Sequence, residues 1–71
     1  MPRKLRELRA DLRKAGWQPV RQKGSHQTWE HPLLPSDPIG LSGNDGRDAK
    51  PYQEREVADA ILRSKAAGRG R

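Results

Sequence analysis

The chain has 71 residues, a net charge of +6 and no cysteine. A core of this size rarely supplies more than about 3–5 kcal/mol, which leaves one domain and no separate catalytic module. The missing cysteines exclude a disulfide framework and a thiolate metal site, and no apolar run is long enough for a signal sequence or a membrane span, so the expected setting is the cytoplasm, with no membrane contact.

The charge is unevenly spread. Met1 to Lys23 carries eight basic and two acidic residues, Gly24 to Leu62 three basic and seven acidic, and Arg63 to Arg71 four basic. Cationic ends suit a polyanion such as RNA or DNA, because neutralising phosphates releases counterions; a solubilising surface has the same composition.

In chain order, Arg3 to Ala15 reads as a helix. Leu5, Leu8, Leu12 and Ala15 recur at helical spacing and Gly16 follows as a stop. Arg3, Arg6, Arg9, Arg13 and Lys14 fall together beside that apolar stripe, with Glu7 and Asp11 beyond them. This basic ridge is either a phosphate-contacting surface or a solvated helix face.

Trp17 to Gln22 and Gln27 to His31 flank Lys23-Gly24-Ser25, the pattern of a β-hairpin with glycine at a positive φ. Period two puts Gln27, Trp29 and His31 on one face and His26, Thr28 and Glu30 on the other. If Trp29 is buried, His26 points away from the core. Leu33 to Asp37, set among prolines, reads as a loop, and Pro38 to Leu41 as a short third strand. Ser42 to Gly46 breaks the chain again.

A second helix is expected from Pro51 to about Ala66, with Val57, Ala58, Ile61 and Leu62 as its apolar face. The domain thus spans 1–66, and 67–71 reads as a flexible basic tail. The fold class is α+β, order α-β-β-β-α: a three-stranded antiparallel sheet with both helices packed on one face. Leu5, Leu8, Leu12, Trp17, Val20, Trp29, Ile39, Leu41, Val57, Ile61 and Leu62 form the expected core. No face beyond these stripes is strongly apolar, so a monomer is expected.

One stretch carries a more specific signal. A helix, then Lys14-Ala-Gly-Trp17, then Val20-Arg-Gln-Lys-Gly-Ser-His26, then Trp29 and His31-Pro32, is similar to the HicA family of toxin mRNA interferases, whose fold is like a double-stranded-RNA-binding domain. The resemblance runs to about Ala66, and its specific part is Arg21 to His26. It implies that the chain is the toxin of a type II toxin–antitoxin system, that His26 matches the family's catalytic histidine, that RNA (mRNA) is the substrate, and that a HicB-type antitoxin inhibits by covering this site. Double-stranded-RNA-binding domains carry a lysine cluster at the start of their last helix; here Lys50 stands alone before Tyr52, Glu54 and Glu56.

RNA can be cut without a metal when its own 2′-hydroxyl attacks the adjacent phosphate. That reaction needs a base, an acid for the leaving 5′-oxygen, and positive charge beside the phosphorane. His26 suits either proton transfer, and its partner in the other is unassigned. Arg21 and Lys23 are placed to supply charge, Gly24 and Ser25 to offer backbone N–H groups, and Arg6, Arg9 and Arg13 to contact phosphates from the helix. Ser25 is equally suited to being a turn residue. His31 shares the Trp29 face and reads as a structural histidine; Trp17 and Trp29 read as core rather than as base-stacking groups. Two histidines of opposite strand parity match no metal-ligand spacing, so neither a metal nor another cofactor is expected. The alternatives are a non-catalytic nucleic-acid-binding module and a cationic surface that docks an acidic protein.

Overall fold

Helix α1, Leu5–Lys14, forms where the leucine stripe predicts it in a computed structural model that describes residues 3–69. Its first turn is closed by the Glu7 carboxylate, which accepts the Lys4 backbone N–H at 2.8 Å. It ends in a Schellman motif: the Trp17 N–H donates to the Leu12 carbonyl at 2.9 Å and the Gly16 N–H to that of Arg13 at 3.0 Å. Gly16 has φ 96°, and a Cβ there would lie 2.8 Å from the His31 Nε2. Both the backbone conformation and the space require glycine.

The turn throws the chain into strand β1, Gln18–Lys23, which returns as β2, His26–His31. The connection is the two-residue turn Gly24-Ser25, with Gly24 at φ 61° in the position that a II′ turn reserves for glycine. Lys23 and His26 face each other across it. Alternation along β2 is as expected: Trp29 and His31 are buried, while His26 and Glu30 are exposed.

The third strand differs from expectation. β3 is Leu34–Ser42, not a loop to Asp37 followed by four residues of strand. It pairs antiparallel with β2, and the sheet order is β1-β2-β3. The register jumps between Trp29↔Ile39 and His31↔Leu34, so Pro35 and Pro38 sit within an irregularity on an edge strand, where a missing N–H costs no ladder bond.

Helix α2, Pro51–Arg69, runs past Ala66. Ala67 to Arg69, expected as tail, are helical; the tail's residues 70 and 71 lie outside the described residues. Its buried stripe is Gln53, Val57, Ala60 and Ser64. The expected face is therefore rotated: Ile61 is half-buried and Leu62 is 65% exposed. Small Ala60 and Ser64 let this side of α2 close onto α1 and β3, the elements it packs against.

Both helices cover one sheet face, as expected. Leu5, Leu8 and Leu12 of α1, Trp29, Leu41, Val57 and Ala60 form one core with Trp17 and Ala49. Ile39 packs at its margin. Val20 does not join: every residue of β1 is exposed because the helices sit over β2 and β3. Trp17 and Trp29 are the largest fully buried side chains. Among the described residues their indole N–H groups have no partner, a cost of about 1–3 kcal/mol each. No described helix is long and apolar enough to cross a membrane.

The core is small, so its largest member dominates. Trp29→Ala is expected to cost about 3–5 kcal/mol, comparable with the stability of such a domain, and to leave the chain largely unfolded by circular dichroism at room temperature. Val20→Ala should stay within about 0.5 kcal/mol of the parent in urea denaturation.

Candidate active site

His26 opens β2 and is exposed, opposite Lys23 on one side and Ser42 on the other. Residues directly opposite in an antiparallel pair share a face, and Arg21 pairs with Thr28. Arg21, Lys23 and His26 therefore lie together on the sheet face that the helices leave open.

At this end of the sheet a groove of about 180 Å³ is lined by Ser25, His26, Arg47, Lys50 and Tyr52, with Leu5 and Gln53 at its floor. Four contacts between separated segments build it. The Gly43 N–H donates to the Ser25 carbonyl at 3.2 Å, and Gly43 has φ 116° with no room for a Cβ against Leu5. The segment after it is tied to the start of α1: the Arg47 carbonyl accepts the Leu5 N–H at 2.9 Å, and Lys4 Nζ pairs with Asp48 at 2.6 Å. Gln53, buried, accepts the Lys50 N–H at 2.9 Å and donates to the Ser42 carbonyl at 3.0 Å. That amide pins the first turn of α2 to the end of β3. Asp48 spends its charge on Lys4, so Arg47 and Lys50 leave the groove cationic.

The arginines of α1, with Arg3 just before it, divide into three groups. Arg9 does not stand on an exposed ridge; it is 9% exposed. Its Nε donates to the Gln27 Oε1 at 2.7 Å, its Nη2 to the Gly43 carbonyl at 2.6 Å, and its Nη1 to Asp45. It forms one wall of a second depression, of about 310 Å³, behind Gly24 and Ser25. Arg3 is bound to Asp11 at 2.6 Å, and this hydrogen bond raises its guanidinium above the usual value. Arg6 and Arg13 remain exposed, Arg13 with its guanidinium 5.3 Å from the centroid of the Trp29 ring.

His31 is structural. Its Nε2 donates to the Ala15 carbonyl at 2.9 Å and its Nδ1 accepts the Leu33 N–H at 3.1 Å, while its ring meets Trp17 edge-on. Both nitrogens are occupied, and the ring bridges the end of α1 to the β2–β3 turn. Trp17 and Trp29 are fully buried and cannot stack on a base.

Sequence reasoning missed Arg47, Lys50, Tyr52 and Gln53 as neighbours of His26. Gln53 had a local signal: a Gln three residues after the helix-preceding residue is half a capping box. Tyr52 had a compositional one, being the single aromatic that is not tryptophan.

The chain is a small α-β-β-β-α domain whose exposed histidine shares a groove with Arg47 and Lys50. The family described as HicA toxin of bacterial toxin–antitoxin matches residues 5–68, and the chain belongs to that family. No curated relative and no solved structure matches it. Membership makes it a toxin with an antitoxin partner, in a family whose toxins generally cleave RNA.

The buried guanidinium is the most exacting element around this site. Arg9→Met strips a charged donor from Gln27, Gly43 and Asp45, and is expected to lower the unfolding free energy by about 2–3 kcal/mol in urea titration. Arg6→Met, on the same helix but exposed, should stay within about 0.5 kcal/mol.

Proposed function

We propose that the chain is a metal-independent endoribonuclease that cuts mRNA, the toxin of a type II pair, with His26 as a proton-transfer group. The observation that supports this best is an exposed imidazole opposite Lys23, in a groove that also presents Arg47 and Lys50. RNA brings its own nucleophile. The 2′-oxygen bonds to phosphorus, the 5′-oxygen leaves, and the products are a 2′,3′-cyclic phosphate and a 5′-hydroxyl end. One base takes the 2′-hydroxyl proton and one acid protonates the 5′-oxygen; His26 performs one of these transfers. Lys23, Arg47 and Lys50 stabilise the charge that develops on the phosphorane, and the backbone N–H groups around Gly24 and Ser25 serve its oxygens.

Arg21 continues the phosphate path along the open sheet face, with Arg6 and Arg13 as outlying contacts from α1. Arg9, with each guanidinium nitrogen engaged inside the protein, serves the site by holding it together. The antitoxin in this reading is of the HicB type and covers the groove, and the free toxin acts as a monomer in the cytoplasm, where mRNA is found.

The test is incubation of single-stranded RNA with the protein in excess EDTA, beside a 2′-deoxy copy. The RNA should be cut and the copy left intact, and His26→Ala should lower the rate by about 100-fold or more while binding to the deoxy copy is retained. Cleavage at the parent rate by that variant would remove His26 from the mechanism. No cleavage of either by folded protein would select the non-catalytic nucleic-acid-binding module. Lys23→Gln should weaken binding of all sequences alike and flatten the slope of log affinity against log salt by about 0.7, the value for one phosphate contact on a single strand.

A further inference from the structure

The chain has three aromatic side chains, Trp17, Trp29 and Tyr52. The two tryptophans are 0% exposed, and Tyr52 is 47% exposed on the wall of the groove that contains His26. Among the described residues Tyr52 is therefore the one Phe, Tyr or Trp ring that a nucleobase can reach, beside the exposed imidazole of His26. We infer that Tyr52 is a stacking platform for one unpaired base beside the phosphate to be cut, which makes single-stranded RNA the substrate and excludes a continuous duplex at the site.

Three features of the groove carry this. Tyr52 shares the groove with the cations Arg47 and Lys50, the groove's one carboxylate, Asp48, being paired with Lys4, and an aromatic face among phosphate-binding cations is the physical pattern of single-strand recognition. It is also pre-positioned. Pro51 begins α2, Gln53 ties its first turn to Ser42, and the Arg47 carbonyl is anchored to α1, so the ring's backbone is held before any ligand arrives. The acidic residue that follows faces elsewhere: Glu54 lines a separate groove between α1 and α2, with Arg3 and Asp11. A base inside a duplex has both faces covered by its neighbours, so within a strand Tyr52 can stack only on one that is unpaired.

The inference takes from the proposed function only the position of the cut. Binding through Tyr52 stands or falls separately. The probe is a single-stranded 2′-deoxy oligonucleotide carrying one 2-aminopurine, whose fluorescence is quenched on stacking, titrated into the full chain in EDTA. The parent should quench it. Tyr52→Phe should quench equally, because the ring and not the hydroxyl makes the contact. Tyr52→Ala should lose the quench and bind about tenfold more weakly, the scale of one base–aromatic stack, while its affinity for a closed circular duplex, which has no end, is unchanged. Emission from the buried Trp17 and Trp29 reports that each variant is folded.

Quenching and affinity of Tyr52→Ala equal to the parent's would overturn the platform, as would equal losses in Tyr52→Phe and Tyr52→Ala, which would assign the effect to the hydroxyl. If RNA is cut in a His26-dependent way but Tyr52→Ala cuts it with the parent's kcat/KM, the platform fails and the nuclease reading stands. If nothing is cut yet the quench depends on the ring, the nuclease reading fails and the platform stands.

Discussion

A single guanidinium holds the His26 end of this protein together. Arg9 is carried by α1, yet its donors end on Gln27 of β2, the Gly43 carbonyl after β3, and Asp45 in the segment beyond. A positive charge in a small core is tolerable only when each donor finds an acceptor, and here the acceptors come from three separated parts of the chain. Satisfying Arg9 therefore dictates where the segment after β3 passes. From that path follow the Gly43 contact with Ser25, the anchoring of Arg47 at the start of α1, and the entry of α2 at Lys50. The groove around His26 is a consequence of how one buried arginine is neutralised.

The apolar core provides the frame. Two tryptophans and three leucines of α1 fill most of it, under the small-residue side of α2. This concentration of volume leaves the remaining surfaces free of structural duty. β1 contributes six exposed residues and buries nothing, so Arg21 and Lys23 stand on a strand whose chemistry is unconstrained by packing. The two histidines show the same division. His31 is locked by a carbonyl at one nitrogen and an N–H at the other, whereas His26, one hairpin position from Lys23, is open to whatever enters the groove.

That division suits a toxin. In the function proposed above, the inward-facing half keeps the fold while the outward cationic half is the surface offered to a polyanion. The lone lysine before α2 separates this groove from a duplex-gripping surface of lysines, although the order of elements is that of a double-stranded-RNA-binding domain. A shared element order does not carry a shared mode of RNA contact.

The features legible in the sequence were the local ones. The leucine spacing determined α1, Gly16 its end, and Gly24 the hairpin; period two along β2 sent Trp29 and His31 inward and His26 outward. The stretch from Arg21 to His26 pointed to the family that the match over residues 5–68 shows. Each depends on neighbours within a few residues, where backbone geometry alone decides. Tertiary structure decided the rest. Prolines marked Leu33 to Asp37 as a loop, but pairing with β2 at a sheet edge absorbs them into β3. An apolar count favoured Ile61 and Leu62, but close approach to α1 and β3 selected Ala60 and Ser64. Arg9 was indistinguishable from Arg6 and Arg13, because an arginine's burial is set by acceptors 18 to 36 residues away, not by its place on a helical wheel. Arg47, Lys50 and Tyr52 share a groove with His26 only because Gly43, Gln53 and that guanidinium fold the chain back across the end of the sheet. No periodicity reports such a closure, since it is fixed by contacts between segments that are distant along the chain.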